Sequence, residues 1–403
     1  MALIPRALEP ELRKAAKQFP CVVVSGPRQS GKTTLLRSTF PKARYVSLDL
    51  PVVAASARSD PRGFLAAHPP PVILDEIQQV PELLSYVKNA VDEQRSRKGR
   101  YLLSGSQNLL LHSKVTESLA GRAAILKLFP LSQREIEHRS DVAIPWEKPK
   151  RRPKPEAAAS FEWERLLRGG YPELVANPKL DAHLWHASYV QTYLERDVRS
   201  LRQVGDLAQF QSFVRAIAAR SGGLLNLHDL SRDLGVAVNT AKAWLSVLEA
   251  SHQVFVLRPF HSNLGKRLVK TPKVYVTDVG MLCHLVGIRD VEHLRHGPMA
   301  GAVFETAVLS ELLKLAWNRG EEPRVTFYRT SNGVEVDFVV EEGLELVAIE
   351  AKSTATPRPD MAKSIESLRA DLDSRFRRGY VVHAGDYCGP LGTSAEALPF
   401  GRL

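Results

Sequence analysis

The octapeptide Gly26-Pro27-Arg28-Gln29-Ser30-Gly31-Lys32-Thr33 constrains this chain more than any other stretch. It satisfies the phosphate-loop pattern G-x-x-x-x-G-K-[ST] at every fixed position. The apolar run Cys21-Val22-Val23-Val24 precedes it and reads as a buried strand, and Thr33-Thr34-Leu35-Leu36-Arg37 follows it and suits a helix. Glycines let the main chain curl so that amide N–H groups point inward, and the helix N-terminus adds its positive end. Lys32 is placed to neutralise β- and γ-phosphate charge, and Thr33 to offer its hydroxyl to magnesium. Gly26, Pro27, Arg28, Gln29, Ser30, Gly31, Lys32, Thr33 and Thr34 are the candidate triphosphate cradle.

A second signal follows. Val72-Ile73-Leu74-Asp75-Glu76 ends a buried strand on two carboxylates. Burying adjacent acids is costly unless they have ligands. Asp75 suits the Mg²⁺ shell, usually through water, and Glu76 suits the orienting of an attacking water. Further strands are expected over 44–48, 101–103 and 124–128, with a helix over 81–94. Strands alternating with helices predict a mostly parallel sheet covered on both faces. One strand, around Tyr45, comes between the two motifs, which fits the phosphate-loop class with an additional strand between them and a catalytic glutamate. Ser104-Gly105-Ser106-Gln107 places Ser106 or Gln107 where a side chain senses γ-phosphate or positions water. Arg122, in the loop before the fifth strand, is a candidate to act on γ-phosphate in cis or across a subunit interface; a plain surface arginine is the alternative.

Length and composition bound the rest. A chain of 403 residues suggests two or three domains. With 44% hydrophobic and 25% charged residues, wholesale disorder and a collagen-like fibre are excluded. No apolar run approaches the ~18 residues of a membrane span, so no membrane partner is expected. The N-terminal residues lack the apolar core of a secretory signal. Cys21, Cys283 and Cys388 lie far apart and form no disulfide framework, so a reducing cytoplasm is the expected location. The formal charge of +11 favours an anionic partner, with simple solubility as the competing account.

The chain divides into four expected parts. Residues 1–140 form the phosphate-loop domain, and 141–160, where four prolines interrupt a basic run around Lys150, read as an exposed linker or insertion. Residues 161–295 read as helical. There, helices over 227–236 and 239–248 and a ribbon of strands over 254–257 and 274–276 suggest a helix-turn-helix with a wing. Asn239, Thr240, Lys242, Arg258, Lys266, Arg267 and Lys270 are its candidate DNA contacts, and a protein contact is the alternative. Residues 296–403 read as a helix over 299–317, three strands over 326–349, a helix over 361–372 and a final strand over 380–383.

Taken together, Gly26 to Thr34, Leu74-Asp75-Glu76-Ile77-Gln78, Ser104 to Gln107, Leu119-Ala120-Gly121-Arg122 and Pro130-Leu131-Ser132 resemble a prokaryotic family of AAA-type ATPases. That family carries a C-terminal domain of unassigned function. Gly169-Gly170-Tyr171-Pro172-Glu173, Tyr193-Leu194-Glu195-Arg196-Asp197 and Gly301-Ala302-Val303-Phe304-Glu305 match it too. The resemblance implies an α/β P-loop NTPase that binds ATP and Mg²⁺ and hydrolyses ATP. No chemistry attaches to the segment around Arg196; ion pairs on a helix surface are its default account, with reach to nucleotide or a neighbouring subunit as the alternative.

The last hundred residues carry a second resemblance. Asp337 on one strand, with Glu350 and Lys352 at the end of the next, is similar to the PD-(D/E)xK nuclease-like fold, although Glu335-Val336 stands where a proline is usual. In that chemistry two carboxylates hold a divalent metal and the lysine positions water. Period two puts Glu350 and Lys352 on one strand face, and Glu305 is available to complete the set. A salt-bridge network is the competing account. The expected activity is Mg²⁺-dependent ATP hydrolysis coupled to a nucleic-acid or protein partner. The alternatives are a nucleotide-gated binding module and an ATP-licensed nuclease; a homo-oligomer is left open.

Overall fold

The computed structural model describes residues 3–106, 118–140, 143–147, 161–193, 206–260 and 269–403. After a helix at Glu9–Gln18, five parallel strands follow: β1 (Cys21–Gly26), β2 (Arg44–Ser47), β3 (Val72–Asp75), β4 (Tyr101–Ser106) and β5 (Ala123–Lys127). Strand periodicity divides their side chains between two faces. Val22 and Val24 join Leu12, Leu35, Leu36 and Leu102 in one core. Cys21 and Val23 join Leu74, Leu83, Val87 and Leu103 in the other. A run with apolar residues at every position is what a strand buried on both sides requires.

The strand order is β2-β3-β4-β1-β5. The strand near Tyr45 separates the two motifs only along the chain. In space it is the outer neighbour of β3, and β4 is the strand inserted between β1 and β3. Helix Leu83–Glu93 forms as its apolar spacing predicts.

The middle of the chain places helices at Trp163–Arg168, Pro172–Ala176, Ala182–Tyr193, Leu207–Ala218, Leu227–Leu234 and Val238–Ala250. An antiparallel ribbon of β6 (Val254–Leu257) and β7 (Lys273–Val276) follows, with Leu224 bridged to Lys273. Asn239, Lys242, Arg258 and Lys270 are exposed and Thr240 is half-buried. Lys266, Arg267 and Arg196 lie outside the described residues.

Helix Ala300–Trp317 then leads to β8 (Val325–Arg329), β9 (Glu335–Glu342), β10 (Glu345–Lys352), β11 (Phe376–His383), β12 (Gly389–Leu391) and β13 (Ala395–Pro399), ordered β12-β13-β11-β10-β9-β8. Alternate residues of β10 face opposite ways: Val347 and Ile349 pack under helix Ala300–Trp317, while Leu346 and Ala348 pack under helix Lys363–Leu372. One continuous core runs from Phe129 through the ribbon to Leu403.

Two expectations are corrected here. The strand at Tyr380–His383 is not the last: β12 and β13 follow, built on glycine, proline, alanine and glutamate, residues that carry little strand signal. Nor are all of 141–160 an exposed linker. Ile144 and Trp146 are buried, Trp146 Nε1 donates to Glu342 at 3.1 Å, and Tyr380 donates to the Pro145 carbonyl at 3.2 Å. Two apolar anchors outweigh the prolines around them. The basic run 148–160 lies outside the described residues.

Candidate active site

The C-terminal ends of β1, β3 and β4 bring Gly26, Asp75 and Ser106 to one edge of the sheet. Gly26 has φ +148°, and a Cβ there would meet the Leu128 carbonyl oxygen at 2.0 Å, so only glycine lets the chain turn off β1 here. Gly31, at φ +92°, opens helix Lys32–Thr39, and no side chain caps that helix. Its first N–H groups are left for a ligand. Lys32 is buried, its Nζ donating to the carbonyls of Gly26 (3.1 Å) and Pro27 (2.8 Å). The Ser30 hydroxyl is buried with no partner.

Thr33 Oγ1 donates to Asp75 at 2.8 Å, joining the loop to β3. Asp75 also accepts from the hydroxyls of Tyr45 (2.8 Å) and Ser104. The Arg37 guanidinium lies 4.7 Å over the Tyr45 ring. Burial and the bond to Asp75 raise the Tyr45 phenol above its ordinary value, so it stays a donor. Mg²⁺ fits this donor set: a hydroxyl and a carboxylate are hard oxygen ligands, and the bare Ser30 hydroxyl leaves the loop polar capacity for a ligand. Bound there, the ion would neutralise phosphate charge.

Glu76, next on the chain, adopts the left-handed conformation at φ +56° and leads into the 3₁₀ turn Ile77–Gln79. Gln78 Nε2 donates to Glu76 Oε2 and, at 3.0 Å, to Ser106 Oγ. Ser106, favoured equally with Gln107 on sequence, is thus linked to Glu76. Gln107 lies outside the described residues.

A cleft of about 250 Å³ opens beside the loop, lined by Ile4, Arg6, Thr34, Leu35, Leu131 and Pro172 among others. Pro172 belongs to the Gly-Gly-Tyr-Pro-Glu segment, where Leu131 N donates to the Gly170 carbonyl at 2.7 Å and Gly170 N donates to Asp278 at 2.9 Å.

Arg122 is not near its own phosphate loop. It precedes β5 beside Cys21, whereas Gly26 stands at the far end of β1, about 16 Å away at ~3.3 Å per residue. Its guanidinium pairs with Asp92 at 2.6 and 2.9 Å. A parallel strand delivers its preceding loop to the sheet edge opposite the phosphates, so the structure does not bring Arg122 to its own phosphate loop.

The C-terminal acids do come together. Lys352 Nζ lies 2.7 Å from Glu350 and 3.9 Å from Asp337, and Asp337 accepts from the Ala351 amide at 2.9 Å. Glu305 accepts from Tyr275 (2.6 Å) and from Lys273 (3.0 Å), a buried lysine that also pairs with Glu335 at 2.5 Å. Burial, then the Asp337 charge, pushes Glu305 up to about 7 and Glu350 up to about 8. Ser364 also donates to Glu350. Among the described residues no three histidine, cysteine or acidic side chains form a group able to hold a metal. The lysines already engage these carboxylates, so no metal step is assigned here.

Tyr45, Ser104 and Gln78 had no role on sequence. Gln78 and Ser104 did fall inside the quoted segments Leu74 to Gln78 and Ser104 to Gln107; the reach of Tyr45 depends on β2 lying beside β3.

Residues 18–137 match a family profile described as an AAA domain. Residues 162–292 and 300–403 match two profiles, each described as a domain of unknown function. The chain is 31% identical over 395 residues to the uncharacterized protein Rv2008c of Mycobacterium tuberculosis, and equally to Mb2031c of Mycobacterium bovis, covering 97% of this chain and 82% of either relative. The Walker-type ATPase PABY2304 of Pyrococcus abyssi aligns at 16% identity and a TM-score of 0.41, over 70% of this chain and 96% of that one. Sheet, loop and paired acids define an α/β P-loop NTPase domain of the AAA type, an ATPase at the level of its family. The chain belongs to the same family as the two mycobacterial proteins. Among the described residues no helix is long and apolar enough to cross a membrane.

Proposed function

We propose that this protein hydrolyses ATP with Mg²⁺ and passes the change of nucleotide state to the regions behind the sheet, which engage a nucleic-acid or protein partner. The observation that carries the reading is the Thr33–Asp75 contact beside Lys32 and Glu76, three functions of one reaction gathered at one sheet edge. Lys32 balances phosphate charge, Thr33 and Asp75 hold the ion, and Glu76 orients water. The triphosphate lies along the loop, and the adjoining apolar cleft receives the nucleoside. Arg122, half-buried and paired with Asp92 at the opposite edge, would serve a neighbouring subunit of a homo-oligomer by exchanging that partner.

Steady-state turnover tests this. Lys32→Ala should weaken nucleotide binding, whereas Glu76→Gln should keep binding and lose turnover. Equal turnover in all three proteins would remove these roles, and a slow wild-type rate with tight binding would favour a nucleotide-gated binding module. The helix pair and ribbon, read as a winged helix with Asn239 and Lys242 exposed, support DNA as partner; retention on duplex DNA that falls steeply with salt is the expected signature.

An ATP-licensed DNA nuclease is the rival reading of the C-terminal module. The adjacency of Asp337, Glu350 and Lys352 favours it, and the engagement of those acids by lysines weighs against it. Incubation with DNA, ATP and Mg²⁺ or Mn²⁺ decides: cleavage lost in Asp337→Ala establishes it, and intact DNA throughout leaves a binding role.

A further inference from the structure

We propose that Gln78 is a catalytic residue of this ATPase site, sharing with Glu76 the placement of the attacking water. The inference rests on the reading of Glu76 as the base. Glu76 sits at φ +56°, a conformation that strains a non-glycine residue and is kept where the surroundings use it. The kink turns the chain into Ile77–Gln79 and brings the Gln78 amide back to Glu76. Gln78 Nε2 then donates both to Glu76 Oε2 and to Ser106 Oγ.

The amide can be oriented in only one way. Its nitrogen donates to Glu76 Oε2 and to Ser106 Oγ, so its oxygen faces elsewhere. That oxygen, Gln78 Oε1, is buried and has no donor. A buried acceptor without a donor costs stability and calls for a reason. A water beside Glu76 supplies it. One of its O–H bonds points to the Glu76 carboxylate and the other to Gln78 Oε1, which leaves a lone pair for phosphorus. In the reaction the water oxygen bonds to the γ-phosphorus as the bond from that phosphorus to the β–γ bridging oxygen breaks. ADP leaves with the bridging oxygen and its electron pair. The water's proton passes to Glu76 and then to inorganic phosphate.

Single-turnover hydrolysis, affinity for a fluorescent ATP analogue with Mg²⁺, and thermal melting, measured on Gln78→Leu, Gln78→Met and Glu76→Gln, test this. Gln78→Leu should slow hydrolysis about 100-fold, within the range for loss of a group that orients a proton transfer, and change affinity less than about threefold. Gln78→Met, close to glutamine in volume but without an acceptor, should lose the rate as Gln78→Leu does. Wild-type hydrolysis by Gln78→Leu overturns the proposal, as does a loss matched by equal losses of affinity and melting temperature. If Gln78→Leu does not fold, wild-type hydrolysis by Gln78→Met overturns it. An inactive Glu76→Gln beside a fully active Gln78→Leu removes only this proposal, whereas a fully active Glu76→Gln removes the base reading itself.

Discussion

Arg6 closes an ion pair with Glu135 at 2.9 Å across 129 residues of chain. The same guanidinium donates to the Ser30 carbonyl of the phosphate loop at 2.7 Å and to the Phe129 carbonyl at 2.6 Å. Glu135 also accepts from the amides of Ala7 and Ser132. Beyond it, Gln133 N donates to Glu311 at 2.9 Å and Lys314 Nζ donates to the Leu131 carbonyl at 3.1 Å. The back of the phosphate loop is thereby tied to helix Ala300–Trp317.

Removing Arg6 should be severe. Arg6→Met leaves Glu135 buried and unpaired, and breaking such a pair costs ~3–5 kcal/mol. Burial pushes the Glu135 carboxyl up, but Arg6 and the Ser132 and Ala7 amides outweigh it and hold it below the ordinary glutamate value. A lowered folded value gives stability that is present above the ordinary value and lost as pH falls through the lowered one. Urea melts from pH 4 to 7 should show the deficit of Arg6→Met against wild type largest at pH 7 and shrinking as pH falls and the unpaired Glu135 takes up a proton. Coincident curves would dismiss the pair.

Tyr45→Phe removes one of three hydroxyls fixing Asp75. Affinity for ADP without Mg²⁺ should not change, and the extra affinity that Mg²⁺ brings should fall about tenfold, roughly 1.4 kcal/mol. Fluorescence titrations at graded Mg²⁺ measure both. An equal loss in both conditions would make Tyr45 a packing residue.

Glu350 gives a pH dependence of opposite sign to Glu135. Its folded value, about 8, lies above that of an unfolded glutamate, so the folded state binds the extra proton. Its contribution is fully present at acid pH and is lost as pH climbs towards 8. Glu350→Gln cannot ionise, so the difference in melting temperature between wild type and variant should shift in the variant's favour between pH 5 and pH 9. A difference that does not vary with pH contradicts this.

Lys273 joins regions that match two separate profiles, since its partners Glu305 and Glu335 lie beyond residue 300. Lys273→Met should destabilise by ~3–5 kcal/mol, as removal of one member of a buried ion pair does. Adding Glu335→Gln should restore part of the loss, and strictly additive effects would show that the pair is not coupled.

What the sequence made legible was local. The strand before Gly26, the helix after Lys32, the paired acids at Asp75 and the spacing of Glu350 and Lys352 each follow from neighbours on the chain. What it hid depends on pairing across distance. That β4 parts β1 from β3, that Arg122 falls at the wrong end of β5, and that Tyr45 reaches Asp75 all follow from parallel register, which leaves no local trace. Trp146 was obscured by the prolines and lysines around it, and β13 by the weak strand preference of alanine and glutamate.

The apolar core that begins at Phe129 and ends at Leu403 has a mechanical consequence. The ribbon, the long helix and one face of the last sheet share this single apolar interior, so a shift of any one of them within it disturbs the packing of the others.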